Sequence, residues 1–82
     1  MDRKELFDRI GGVIEESAVE EVDWTQVTEA TEIDTFGFDS LSVLDLLFDL
    51  EQEFGVEIEA KEILNIKTVG QMITFLGERM SS

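Results

Sequence analysis

The chain has 82 residues, the size of one compact domain and too short to divide into two cores. It holds no cysteine and no histidine, which excludes disulfide staples, thiolate or imidazole metal sites, and Ser-His or Cys-His nucleophilic chemistry. Six Lys+Arg against 20 Asp+Glu leave a net charge of −14, a surface that repels phosphate backbones and makes nucleic acid a poor partner.

Residues 3–19 carry Leu6, Phe7, Ile10, Val13, Ile14 and Ala18 at helical spacing, which predicts an amphipathic first helix. Gly11 and Gly12 interrupt it. Each lowers helix propensity by about 1 kcal/mol relative to alanine, so tertiary packing against a close neighbour is expected to hold that turn. From Glu20 to Phe38 the periodicity fades, and threonines and acids alternate with isolated Val22, Trp24, Val27, Ile33 and Phe36. This reads as a long first loop that is ordered because its apolar residues recur, with Trp24 anchoring it on the helix ends. Gly37 marks a turn at positive φ immediately before a new apolar pattern.

The second helix is expected from that turn to Phe54. Leu41, Val43, Leu44, Leu46, Leu47, Phe48, Leu50 and Phe54 cover most of its circumference, so burial on nearly all sides is predicted. A narrow stripe of Ser42, Asp45, Asp49, Gln52 and Glu53 is left for solvent. Asp45 with Asp49, and Asp49 with Glu53, are like charges four apart and cost a few tenths of a kcal/mol each. Gly55 fits a C-terminal cap, and Val56, Glu57 and Ile58 are too few for a sheet. Ala60 to Asn65 allow one or two turns with Ile63 and Leu64 inward. Thr68 and Gln71 have the spacing of a capping box for a last helix, which buries Met72, Ile73, Leu76 and Met80 and has Phe75 beside them; Ser81 and Ser82 are expected to fray. The sum is an all-α fold over residues 1–82: a small four-helix bundle of three main helices and one short helix, with a long first loop.

No apolar stretch opens the chain or reaches the roughly 18 residues of a membrane span, so a soluble, cytoplasmic protein is expected. A calcium loop laid on Glu32 to Val43 fails, because Phe36 and Val43 would stand where oxygen ligands are required. No metal site and no catalytic residue are expected, since the carboxylates have neither a phosphate cradle nor a lysine-bearing pocket beside them.

The informative segment is Phe36-Gly37-Phe38-Asp39-Ser40-Leu41, where loop turns into helix. It has two readings. Asp39 or Ser40 can simply cap the helix, a contribution of about 0.5–2 kcal/mol. Alternatively, a serine in the first turn projects its hydroxyl beside free backbone amides at the positive end of the helix dipole, where an attached phosphate is stabilised.

Gly37-Phe38-Asp39-Ser40-Leu41, the acid-striped helix after it, Glu51-Gln52-Glu53-Phe54-Gly55-Val56-Glu57-Ile58 and Thr68-Val69-Gly70 together resemble an acyl carrier protein, from about Leu6 to Leu76. The resemblance implies that a phosphopantetheinyl transferase attaches 4′-phosphopantetheine to Ser40. Acyl groups are then carried on its terminal thiol to fatty-acid or polyketide-type biosynthetic enzymes, so the chain needs no cysteine of its own. It also implies a docking surface for basic patches on acyl-transferring, condensing and reducing enzymes, formed by Asp39, Leu41, Asp45, Phe48, Asp49 and Glu51. Long-range attraction of that kind speeds encounter while exposed pairs add little affinity, which suits brief visits to many enzymes.

Ser42 stands where the family often has an acid, and Asp49 where a small neutral residue is frequent, so the docking pattern is shifted along the helix. The family's acyl cavity is expected among Leu46, Leu50, Phe54, Ile58 and Ile66, altered by Trp24, Phe38, Phe48 and Phe54. Two other readings stay open at this point: a peptidyl or aryl carrier, whose members are usually less acidic, and a non-covalent acidic adaptor in which Ser40 is only a cap. Self-repulsion predicts a monomer.

Overall fold

The computed structural model describes residues 2–18 and 21–81, with Ser40 and Ser81 described by their backbone alone. The expectations that touch Val19, Glu20 and Ser82 lie outside the described residues. Among those described there are four α-helices and no β-strand, in agreement with the expected all-α bundle.

The first helix, α1, spans Arg3–Ser17. It starts where the Asp2 carboxylate accepts from the Glu5 amide at 2.8 Å, satisfying one of the donors that a helix start leaves open. Its buried face is Leu6, Ile10, Val13 and Ile14. Gly11 is buried with them, and a Cβ there would stand 2.5 Å from Trp24 Nε1, so the indole lies against bare helix backbone. Trp24 therefore anchors the loop on the middle of α1, not on helix ends. Only a residue without a side chain lets a ring approach that closely.

The long first loop contains two 3-10 turns, Trp24–Gln26 and Ile33–Phe36. It is pinned to the far end of the chain by an isolated antiparallel bridge between Glu32 and Thr68. Ile33 N donates to Lys67 O at 2.9 Å, Val69 N to Thr31 O at 3.0 Å and Gly70 N to Glu29 O at 2.8 Å. These bonds, with buried Ile33 and Phe36, account for the order of a stretch that has no long helix.

The helix α2 spans Ser40–Phe54 and ends at Gly55, whose amide donates to Glu51 O at 2.8 Å. Leu46, Leu50 and Phe54 join the core, but burial on nearly all sides is overturned: Leu41, Leu44 and Phe48 are 74%, 48% and 58% exposed. The reason is the number of neighbours. α2 packs against α1 and the short α3, and a helix flanked in this way buries one stripe rather than its whole circumference.

The short helix α3 covers Ala60–Ile63. The Glu62 carboxylate reaches back to the Glu59 amide at 3.0 Å, and the Asn65 side chain donates to Lys61 O at 3.2 Å. Ile63 is buried as expected. Leu64 is not: it is 64% exposed, because the helix has ended and the chain is already turning there. The last helix, α4, spans Val69–Ser81. Thr68 Oγ1 accepts from the Gln71 amide at 3.2 Å, while Gln71 Oε1 accepts from Lys67 N at 2.7 Å, one residue earlier than a standard capping box. Met72, Ile73 and Leu76 are buried and Met80 stands at the exposed edge. The Arg79 guanidinium lies 4.8 Å from the Phe75 ring centroid, donates to Glu57 O at 3.2 Å and pairs with Glu62, tying α4 to α3. None of the helices, among the described residues, is long and apolar enough to cross a membrane.

Candidate functional site

The lead-in to α2 is built from three consecutive local decisions. Phe36 is buried at the end of the second 3-10 turn. Gly37 follows at φ 77, the left-handed region that L side chains rarely adopt, and reverses the chain. Asp39 then caps the helix, its carboxylate accepting from the Ser42 amide at 2.8 Å. That amide, with a smaller contribution from the Ser42 side chain, holds the Asp39 carboxyl below the usual carboxylate range. Ser40 is the first residue of α2; its side chain lies outside the described residues. Leu41, next in the chain, is the most exposed of the large apolar residues.

Along α2 the exposed surface divides into two strips, because successive residues are separated by about 100° around a helix of 3.6 residues per turn. Leu41, Leu44 and Phe48 recur at three and four positions and form an apolar strip. Asp45, Asp49, Gln52 and Glu53, all exposed, form an acidic one beside it. α2 contains no basic residue. Arg9 of α1 approaches Glu53 at 2.8 Å, which offsets part of the negative charge near the end of the helix.

The sequence-derived candidates fall into distinct settings. Leu41, Asp45 and Phe48 are exposed. Asp39 is exposed and also caps the helix. Asp49 is exposed and accepts from Ser17 Oγ at 2.5 Å, linking α2 to the end of α1. Glu51 is half-buried, and its carboxylate accepts from the Ile58 amide at 2.9 Å, so it holds the turn after α2. Ser42, assigned to the solvent stripe, is half-buried. Leu44, which the sequence reading places in the core, is on the exposed strip. Its spacing of three and four from Leu41 and Phe48 was the available signal.

A cleft of about 180 Å³ lies between α2 and α3, lined among others by Val43, Leu46, Ile63, Leu64, Ile66 and Met72. Of the five residues expected to line an acyl cavity, Leu46 and Ile66 border this cleft, while Leu50, Phe54 and Ile58 do not, and these three lie with Leu46 in the core cluster. Ile33 and Asp34 of the second 3-10 turn and Lys67 complete the rim of the cleft.

Residues 13–76 match the family described as phosphopantetheine attachment site. The chain is 37% identical over 79 residues to an acyl carrier protein of Thermotoga maritima, covering 95% of each chain. It is 37% identical over 82 residues to one of Petrotoga mobilis, covering 99% of this chain and 94% of the relative. Its fold superposes on the crystal structure of an acyl carrier protein from Thermotoga maritima with a TM-score of 0.81 at 30% identity, covering 99% of this chain and 93% of the other.

Proposed function

The chain belongs to the acyl carrier protein family, whose cofactor is 4′-phosphopantetheine, and from that premise we propose that Ser40 is the residue that carries the arm. The observation that supports this reading is the position of Ser40: it opens α2 between exposed Asp39 and exposed Leu41, inside the matched residues 13–76. The surroundings fit a phosphodiester. The helix start offers backbone amides and the positive end of the dipole, and the exposed neighbours leave a path to solvent for a long arm.

If Ser40 takes up the arm, its oxygen would form a bond to the phosphorus that bears pantetheine as the pyrophosphate bond of coenzyme A breaks, with 3′,5′-adenosine bisphosphate as the leaving group and the serine proton lost to the surroundings. The bound group supplies a thiol that holds acyl groups as thioesters. The chain's own part is to present that arm, shelter what it carries and dock; it has no catalytic residue of its own.

Residues 1–82 act as one carrier domain, monomeric and cytoplasmic, used by a phosphopantetheinyl transferase and by acyl-transferring, condensing and reducing enzymes of fatty-acid or polyketide-type synthesis. Leu41, Asp45 and Phe48 make up the contact surface for their basic patches, with Asp39 and Asp49 contributing charge while also holding structure. Glu51 is the weakest member of that set, because its carboxylate is engaged by the Ile58 amide. The cleft between α2 and α3 is the place where an acyl chain would enter.

The test is intact mass after incubation with coenzyme A and a phosphopantetheinyl transferase. The wild-type chain gains one phosphopantetheine and the Ser40→Ala chain gains none. An unmodified wild type, or a modified Ser40→Ala chain, refutes the assignment.

A further inference from the structure

Four aromatic side chains form a continuous run from the middle of α1 to the start of α2. Phe7 and Trp24 have ring centroids 4.8 Å apart, Trp24 and Phe36 6.0 Å, and Phe36 and Phe38 6.4 Å in an edge-on arrangement, all within the range in which aromatic pairs attract. At one end the run is seated on backbone, since Trp24 fills the space that a side chain at Gly11 would need. At the other end it finishes at Phe38, one residue before the Asp39 cap and two before Ser40. Between Phe36 and Phe38 the chain reverses at Gly37, so ring packing on both sides of that turn fixes where the cap sits. Trp24 Nε1 is buried with no hydrogen-bond partner among the described residues. The indole is thus held there by shape and stacking, not by a polar contact.

We infer that Trp24, seated on Gly11, is a positioning residue for the modification of this chain: through Phe36 and Phe38 it holds the start of α2 in the conformation that the transferase binds. The inference rests on the assignment of Ser40 as the attachment residue. Its kinetic signature follows from population arithmetic. If only a fraction of molecules hold the competent lead-in, apparent affinity falls by that fraction, while the transfer within the docked complex is unchanged.

Trp24→Ala is therefore expected to raise the transferase KM for the apo chain about tenfold, for a competent fraction cut to about one-tenth, and to leave kcat unchanged at a temperature where the variant is folded. Trp24→Phe, which keeps a ring in the slot, restores most of the loss. Gly11→Ala, which displaces the indole without removing it, raises KM in the same direction and serves if Trp24→Ala does not fold. Amide hydrogen exchange supplies a second readout: in either variant it accelerates at residues 36–42 and leaves α4 at wild-type protection.

An unchanged KM in a folded variant overturns the inference. So does uniform acceleration of exchange across the chain, or a Trp24→Phe chain as impaired as the alanine variant. If the wild type takes up no phosphopantetheine, or Ser40→Ala does, the attachment assignment and this inference fall together. A wild type modified at Ser40 with unaffected Trp24 variants removes the positioning role alone.

Discussion

α1 and α2 have the same length, 15 residues each, and pack against one another, yet they distribute apolar side chains differently. α1 places Leu6, Ile10, Val13 and Ile14 in the core and Phe7 against its edge, and its outward positions are polar, charged or glycine. α2 also supplies core residues, but sets Leu41, Leu44 and Phe48 in solvent beside a row of carboxylates. Fully burying a large apolar side chain is worth about 1.5–3 kcal/mol, a gain that Leu41 mostly forgoes and Leu44 and Phe48 forgo in part, at 74%, 48% and 58% exposed. The comparison separates a helix that keeps its large apolar residues in or against the core from one that leaves three of them on its outer face, the face that the proposed docking would use.

The largest effect expected from this contrast is on stability. Leu46→Ala removes a fully buried side chain of α2 and is expected to cost about 2–5 kcal/mol, with Ile10→Ala in α1 in the same range. Phe48→Ala, although it deletes a larger group, should change stability by less than about 0.5 kcal/mol. Denaturant melts of the three variants read the difference directly. A Phe48→Ala chain as destabilised as Leu46→Ala would mean that the outer face of α2 is part of the core after all.

A second effect sharpens the contrast by leaving the fold alone. Asp45→Lys reverses one charge on the acidic strip and ends a like-charge pairing with Asp49 worth a few tenths of a kcal/mol. The circular dichroism spectrum should not change. Loading by the transferase should slow at low ionic strength and approach the wild-type rate as salt rises, because steering acts over roughly 10 Å at 0.1 M salt and less above it. Loading kinetics that are unchanged at low salt would remove the docking role of that strip.

How much of this was legible in the sequence depends on the range of the forces involved. The turn at Gly37, a cap at Asp39 or Ser40, the helix that follows and the Thr68/Gln71 start of α4 are local, each fixed by residues within a few positions of one another, and the sequence shows them; the bond from the Ser42 amide decides the cap for Asp39. The exposure of Leu41, Leu44 and Phe48 is not local. Apolar spacing reveals how many faces of a helix could be buried, whereas the number of neighbours is set by the fold. Likewise, a close neighbour for Gly11 was foreseeable from the cost of a mid-helix glycine, but that Trp24 would supply it was not. The Ser17 bond to Asp49 and the Glu51 bond to the Ile58 amide show that acidic residues on one stripe can have different duties, which charge counting does not distinguish.

The smallest expected effect concerns pH, where two influences of opposite sign meet. Lowering pH from 7.5 to 5.5 begins to discharge a surface carrying −14, which eases self-repulsion of the compact state; the melting temperature should rise slightly, and more at low salt, where screening is weak. Three carboxyls act the other way at lower pH. Glu29 is held below the usual range by its hydrogen bond from Arg3, Asp39 by the Ser42 amide, and Glu62 by the Glu59 amide and then Arg79. A carboxyl whose pKa is lower in the folded chain adds stability above its unfolded value, and that contribution is lost as pH falls through the folded one. These three therefore withdraw support below the ordinary carboxylate range of about 4. They sit at different joints: Arg3–Glu29 between α1 and the first loop, Asp39 at the head of α2, and Glu62–Arg79 between α3 and α4. Melting curves should consequently pass through a maximum between pH 5.5 and the acid fall. Asp39→Asn, which keeps a capping oxygen without the titrating carboxyl, should reduce the acid fall while leaving the rise from 7.5 to 5.5 in place. A flat melting temperature from pH 7.5 to 5.5 at low salt would show that self-repulsion is already negligible, and the charge on α2 would then lose its cost to the isolated fold.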